Sequence, residues 1–176
     1  MKILRFILPL LFLTSCGVAV SYDYEKTTDF SKYKTYNYYG DMNTGLSVLD
    51  TRRLLKALDA KLDSLGLQKS DTPDFFIDIQ SSEFQNQNGG VGFGVGGTGR
   101  NAGGGISVGI PTGQSNMSRR IVFDFVDDAG DKEKLFWQAV STGSFRVNAT
   151  PDKREAYFVS LVEKVFRKYP PKTKKK

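Results

Sequence analysis

Two stretches of this chain alternate with a period of two. In the first, Phe75, Ile77 and Ile79 fall on one side, and Phe76, Asp78 and Gln80 on the other. In the second, Ile121, Phe123 and Phe125 are interleaved with Val122, Asp124 and Val126. Successive strand residues point to opposite faces, so this pattern demands a sheet with one buried and one wetter face. That is the habit of an antiparallel sheet. The turn formers Asp127, Asp128, Gly130 and Asp131 follow the second stretch, and an apolar run over residues 135–140 reads as the return strand of a hairpin. Leu135, Trp137 and Ala139 are expected to share its buried face.

Something must cover the buried side. Ser47 opens a helix, with Asp50 at the capping-box position. Val48, Leu55, Leu58, Leu62 and Leu65 are expected on one face of it. Gly66 ends it, and Leu67 folds back on Leu62. Thr150-Pro151 opens a second helix, whose apolar stripe is Phe158, Leu161, Val162, Val165, Phe166 and Tyr169; Pro170-Pro171 closes it. Short strands are expected over residues 22–25 and 33–39. The fold class is α+β: a mostly antiparallel sheet with two helices packed on one face. Residues 22–171 form a single domain.

Residues 89–113 hold 12 of the 18 glycines. They include a G-x-G-x-x-G match at 92–97, but no helical pattern follows to meet a pyrophosphate, so no dinucleotide site is read there. Val91, Phe93 and Val95 alternate with glycine, as do Ile106 and Val108, which reads as a Gly-rich hairpin or loop insertion. Bare backbone beside a thin apolar edge lets another chain approach closely. These five residues, with Tyr36 and Tyr38 of the Tyr-rich stretch, are the candidate contact surface.

The N-terminus carries an address. Lys2 and Arg5 precede an apolar run over residues 7–13, far short of the roughly 20 residues that span a bilayer. This is a secretory signal over residues 1–15. It ends in Leu13-Thr14-Ser15-Cys16, which resembles the bacterial lipobox, with Cys16 as the lipidated first residue of the mature chain and residues 16–21 as its tether. Two or more acyl chains anchor stably where one is marginal. Gly17 after the cysteine favours the outer membrane, with the domain facing the periplasm by default.

Charge and composition narrow the chemistry. The formal charge is +6, but two basic residues lie in the leader and four in the tail over residues 172–176. Without those six, the remaining 19 basic residues equal the 19 acids. The domain is therefore neutral, and a nucleic-acid role loses its footing. There is no His and only one Cys. That excludes Ser-His and Cys-His nucleophile pairs, internal disulfides and thiolate zinc sites. No cofactor or metal is expected, and no catalytic residue is assigned. The nearest thing to a reactive pair is Asp78 and Asp124, which would work as acid and base if their strands were neighbours. Exposed polar positions on alternating strands are the simpler reading.

In order along the chain, the lipobox, Tyr22-Asp23-Tyr24, Asp29-Phe30-Ser31-Lys32-Tyr33-Lys34-Thr35-Tyr36, Pro73-Asp74-Phe75, the Gly-rich middle, Phe136-Trp137-Gln138-Ala139 and Tyr169-Pro170-Pro171 resemble the bacterial lipoproteins of domain-of-unknown-function family 4136. The resemblance implies an envelope lipoprotein of α+β fold, with no assigned activity, cofactor or catalytic residue. Three functions follow as expectations. The first is a non-enzymatic interaction or assembly module, held to the membrane through Cys16 and touching an envelope protein or glycan. The second is a module binding a small or lipidic ligand between sheet and helices. The third is a hydrolase using Asp78 and Asp124.

Overall fold

The computed structural model describes residues 18–85, 117–127 and 133–172. Its strands are β1 (Ala19–Tyr24), β2 (Thr35–Tyr38), β3 (Gln68–Lys69), β4 (Phe75–Gln85), β5 (Met117–Asp127) and β6 (Lys134–Phe145). They form one sheet in the order β1-β6-β5-β4-β2-β3. The first four in that order are mutually antiparallel, whereas β4, β2 and β3 are parallel. The helices are α1 (Val48–Ser64) and α2 (Pro151–Val165). This is the expected α+β fold. The parallel margin is an addition: α1 crosses over between β2 and its neighbours, and such a crossover is what allows adjacent strands to run the same way.

Alternation sets the two faces of the sheet. Phe75, Ile77, Ile79, Ile121, Phe123 and Phe125 are fully buried beneath the helices. On α1 the buried line is Asp50, Leu54, Leu58 and Leu62, an i, i+4 ladder. This corrects the expected face: Val48 is 70% exposed, and Leu54, not Leu55, leads the stripe. The predicted stripe is buried, but only Phe158, Leu161, Val162 and Val165 lie on α2, whereas Phe166 lies in the 3-10 turn that follows it and Tyr169 caps that turn. Gly66 ends α1 at φ +81°, and the Leu67 N–H donates to the Leu62 carbonyl at 3.0 Å, the Schellman closure.

The return strand departs from simple alternation. Phe125 pairs with Trp137, but Val126 pairs with Leu135, so Phe136 is an extra residue in β6. A bulge of this kind puts two successive side chains on one side. Phe136 and Trp137 are both buried, and Leu135 is turned out to solvent, against the expectation that it would face the core. Phe136 stacks on Tyr33 with centroids 4.1 Å apart. Tyr33 itself stands outside β2, after a 3-10 turn at Phe30–Lys32 that Asp29 caps, so the predicted strand over residues 33–39 shrinks to four residues.

The helices run in the same direction. Asp50 pairs with Arg154, Lys56 with Glu155 and Lys61 with Glu163, the numbers rising together. The two lysine pairs are solvated and worth a few tenths of a kcal/mol. Asp50 is different. It is 1% exposed and receives Arg53 at 2.9 Å and Arg154 at 2.7 Å, with Arg119 at 3.9 Å. Arg119 is also buried, bonds Glu83 at 2.7 Å and lies over the Phe145 ring at 4.0 Å. A buried carboxylate needs such neighbours to offset its lost hydration.

Candidate functional site

Around Asp78 and Asp124, the sheet face opposite the helices carries residues that are partly or fully open to solvent. On it, β4 and β5 set Asp78 directly opposite Asp124, and β6 sets Gln138 opposite Asp124. The next row is Gln80, Val122 and Val140. The chain leaving β2 folds over this face at its β4 side. There the Thr44 carbonyl accepts the Ser81 N–H at 2.8 Å, and the Tyr39 ring stacks on Phe76 with centroids 5.0 Å apart. Gly45 permits the approach: its φ is +69°, and a Cβ there would stand 2.8 Å from the Ser81 carbonyl oxygen. No side chain fits that position without strain.

Between this segment and the strands lies an open cleft of about 540 Å³. Asp41, Asp78, Asp124 and Glu133 give it acidic walls, and Tyr39 and Gln80 add aromatic and amide surface. Each sheet carboxylate holds an amide: Gln80 donates to Asp78 and Gln138 to Asp124, both at 2.8 Å. Burial raises the Asp124 carboxyl above the usual carboxylate value, the Gln138 hydrogen bond opposes this, and the charge of Asp78 adds to the rise. The arrangement offers carboxylate and amide acceptors and donors beside aromatic rings, a chemistry suited to hydroxyl-rich or cationic groups. No cluster of three or more metal-ligating side chains occurs among the described residues.

The other predicted site residues fall elsewhere. Tyr36 is buried and Tyr38 partly so. They point to the helix side, where both hydroxyls donate to Asp59 of α1, at 2.8 and 2.6 Å. Tyr36 is 2% exposed. Burial, followed by the Asp59 hydrogen bond, pushes both phenols well above their ordinary value. Cys16, Val91, Phe93, Val95, Ile106 and Val108 lie outside the described residues. Among the described residues, the space between sheet and helices holds a continuous set of buried side chains, and the cleft lies on the opposite face. Sequence reasoning found Asp78 and Asp124 but missed Asp41 and Glu133. These sit in irregular segments, where no periodicity announces a direction.

The fold and cleft define a class: an α+β domain whose sheet is backed by two parallel helices and whose other face is open and acidic. The family model described as a domain of unknown function (DUF4136) matches residues 20–171, and the chain belongs to that family. No curated protein matches it. Among solved structures, it is similar to a PDZ domain protein from Parabacteroides distasonis, at 15% identity and a TM-score of 0.59, over 89% of this chain and 36% of that one. The chain thus spans about a third of that protein's length, and the likeness is one of fold. The PelC dodecamer from Paraburkholderia phytofirmans is 10% identical, with a TM-score of 0.49, over 85% of this chain and 95% of that one. No helix among the described residues is long and apolar enough to cross a membrane.

Proposed function

We propose that this chain is a lipoprotein held at the bacterial outer membrane through acyl chains on Cys16, facing the periplasm, and that it acts as a non-enzymatic interaction module through its open sheet face. The observation that carries the reading is the position of Cys16. It closes a signal-like leader and stands three residues before Ala19, where β1 begins. Three extended residues reach about 11 Å, so the domain rides close to its anchor. The helix side is packed shut, which leaves the face around Asp78, Asp124 and Gln80 to meet an envelope protein or glycan.

Two measurements test it. Metabolic labelling with a palmitate analogue should mark the wild-type chain and not Cys16→Ala; equal labelling of both removes the anchor. A photo-crosslinking residue at Val122, on the open face, should give a defined envelope adduct. The same residue at Val159, exposed on α2, should give none. Equal adducts from both positions would remove the open face as the contact.

The cross-strand pairing of Asp78 with Asp124, and the raised Asp124 carboxyl, favour a second reading as a hydrolase with one carboxyl protonated and one ionised. Hydrolysis of an envelope polymer that is lost in both Asp78→Asn and Asp124→Asn would select this reading over the first.

A further inference from the structure

The register of the strands fixes which features share an end of the domain. Ala19 at the start of β1 is level with Thr142 near the end of β6, and Thr142 with Arg120 near the start of β5. Arg120 is level in turn with Ser82 near the end of β4. The ion pair from Asp50 to Arg154 joins the N-termini of both helices, and Arg119 of β5, 3.9 Å from Asp50, sets them at this same end. The C-terminal part of the chain leaves at the other end, where Tyr169 packs on Trp137, the partner of Tyr24. The described chain therefore starts, at residue 18, at the end that gathers both helix starts, and stops, at residue 172, at the end away from it.

Two kinds of side chain are concentrated at the anchor end. Large apolar residues stand in solvent there: Val48 and Leu49 at 70% and 59% exposure, Phe84 at 42% and Val147 at 50%. Only Leu135 and Val159 are comparably exposed elsewhere among the described residues. Interleaved with them are the exposed cations Arg52, Arg120, Arg146 and Lys153. Arg53, Arg119 and Arg154 lie behind, around Asp50. Among the described residues at this end, these seven cationic side chains outnumber the carboxylates of Asp50, Glu83 and Asp152. Solvent-exposed apolar residues ringed by arginine are unfavourable in water and suited to a membrane interface.

We propose that this end of the domain docks on the bilayer that holds Cys16, with Val48, Leu49, Phe84 and Val147 entering the interface and Arg52, Arg120 and Arg146 meeting anionic phospholipid headgroups. The inference rests on the anchor reading above. Arg120 lies two strands from Ala19, about 10 Å, and the tether adds about 11 Å at most. Arg120 thus lies at most about 20 Å from the anchor point, within reach of the headgroups once the domain docks. The acyl chains hold the domain at the membrane, and the basic apolar end sets its orientation. The cleft of Asp78 and Asp124 then stands on the flank of the docked domain, open to the periplasm.

The full lipidated chain, reconstituted in vesicles, tests this. Cys16 is acylated and is the only cysteine, so a single introduced cysteine takes a fluorophore cleanly. Val147→Cys reports the anchor end, and Lys26→Cys, in the turn after β1, reports the far end. Quenching by nitroxide lipid is read in phosphatidylcholine vesicles with and without phosphatidylglycerol. The expected result is stronger quenching at position 147 than at 26, enhanced by phosphatidylglycerol and reduced in 1 M salt, where the Debye length falls to about 3 Å. Arg120→Gln and Arg146→Gln should each lower the docked-to-undocked ratio by about fivefold. A chain that floats with the vesicles but shows equal quenching at both positions in both lipids overturns the docking alone. A chain that carries no acyl group and does not float overturns the anchor reading, and the docking with it.

Discussion

Asp78 lies directly across the β4–β5 ladder from Asp124, so two carboxylates that alternation placed on one face also share one rung. Burial and the charge of Asp78 raise the Asp124 carboxyl. A raised carboxyl costs the folded state stability as pH climbs from the unfolded value near 3.8 through the folded one, and the cost is complete above that. Asp124→Asn should therefore stabilise the domain near neutral pH, by about 0.2–1 kcal/mol, since both groups are partly solvated and screened. The gain should vanish near pH 3. Urea melts at the two pH values check it, and destabilisation at neutral pH would contradict the like-charge account.

Asp59 ties α1 to β2 through the hydroxyls of Tyr36 and Tyr38. Hydrogen bonds to a charged acceptor are worth about 1.5–3 kcal/mol when one partner is removed. Tyr38→Phe should lose that amount in chemical denaturation. With Asp59→Ala as the background, the same change should cost much less, because the acceptor is already gone.

Tyr33 packs beneath Phe136 and gives its hydroxyl to Asp127 at 2.7 Å. Burial, and then that hydrogen bond, raise the phenol to about 12. Stability held by a raised phenol is complete below its unfolded value of 10.0 and is lost as pH rises toward the folded value. Ultraviolet titration should show Tyr33, Tyr36 and Tyr38 silent up to pH 10 and the protein losing stability beyond it. Early ionisation of all eight tyrosines would contradict this.

Asp50→Ala should be among the costliest single changes in the chain. It strands Arg53 and leaves Arg154 with the Val147 and Ala149 carbonyls and Arg119 with Glu83, a loss of about 3–5 kcal/mol. Arg52→Ala, beside it in sequence and exposed, should be within about 0.5 kcal/mol of wild type. Thermal melts of the two variants make the comparison.

The face of α1 can be tested directly. Leu54→Ala and Leu58→Ala should each cost about 2–5 kcal/mol, and Val48→Ala close to nothing. A large effect at Val48 would move the helix back to the face that simple counting predicts.

These residues also mark what was legible in the sequence. The strands β4 and β5, the caps of both helices and the stripe of α2 follow from periodicity and local chemistry. They were readable because each signal is confined to one segment. The errors share a cause: a tertiary contact overrode a local pattern. Asp50 was assigned to capping, and it does sit at the position whose N–H Ser47 accepts at 3.2 Å; but its side chain is buried by arginines from β5 and α2, which no local window contains. Phe136 shifts the phase of β6 through a bulge that alternation cannot see. Tyr36 and Tyr38 are singled out by the Tyr-rich run alone, which does not show that α1 supplies Asp59 as the acceptor of both hydroxyls. In the candidate site, Asp78 and Asp124 were found on strands with clear phase, whereas Tyr39 and Asp41 come from a segment held by Gly45 against Ser81.

The strand order carries a consequence for biosynthesis. β1 is made first, yet its neighbour in the sheet is β6, which ends at Phe145. A chain emerging N-terminus first holds β1 without that partner until most of the polypeptide has appeared. Pairing so distant in sequence closes slowly, because loop entropy is spent before the contacts form. If the leader directs export as proposed above, late closure keeps the polypeptide threadable until translocation is nearly done.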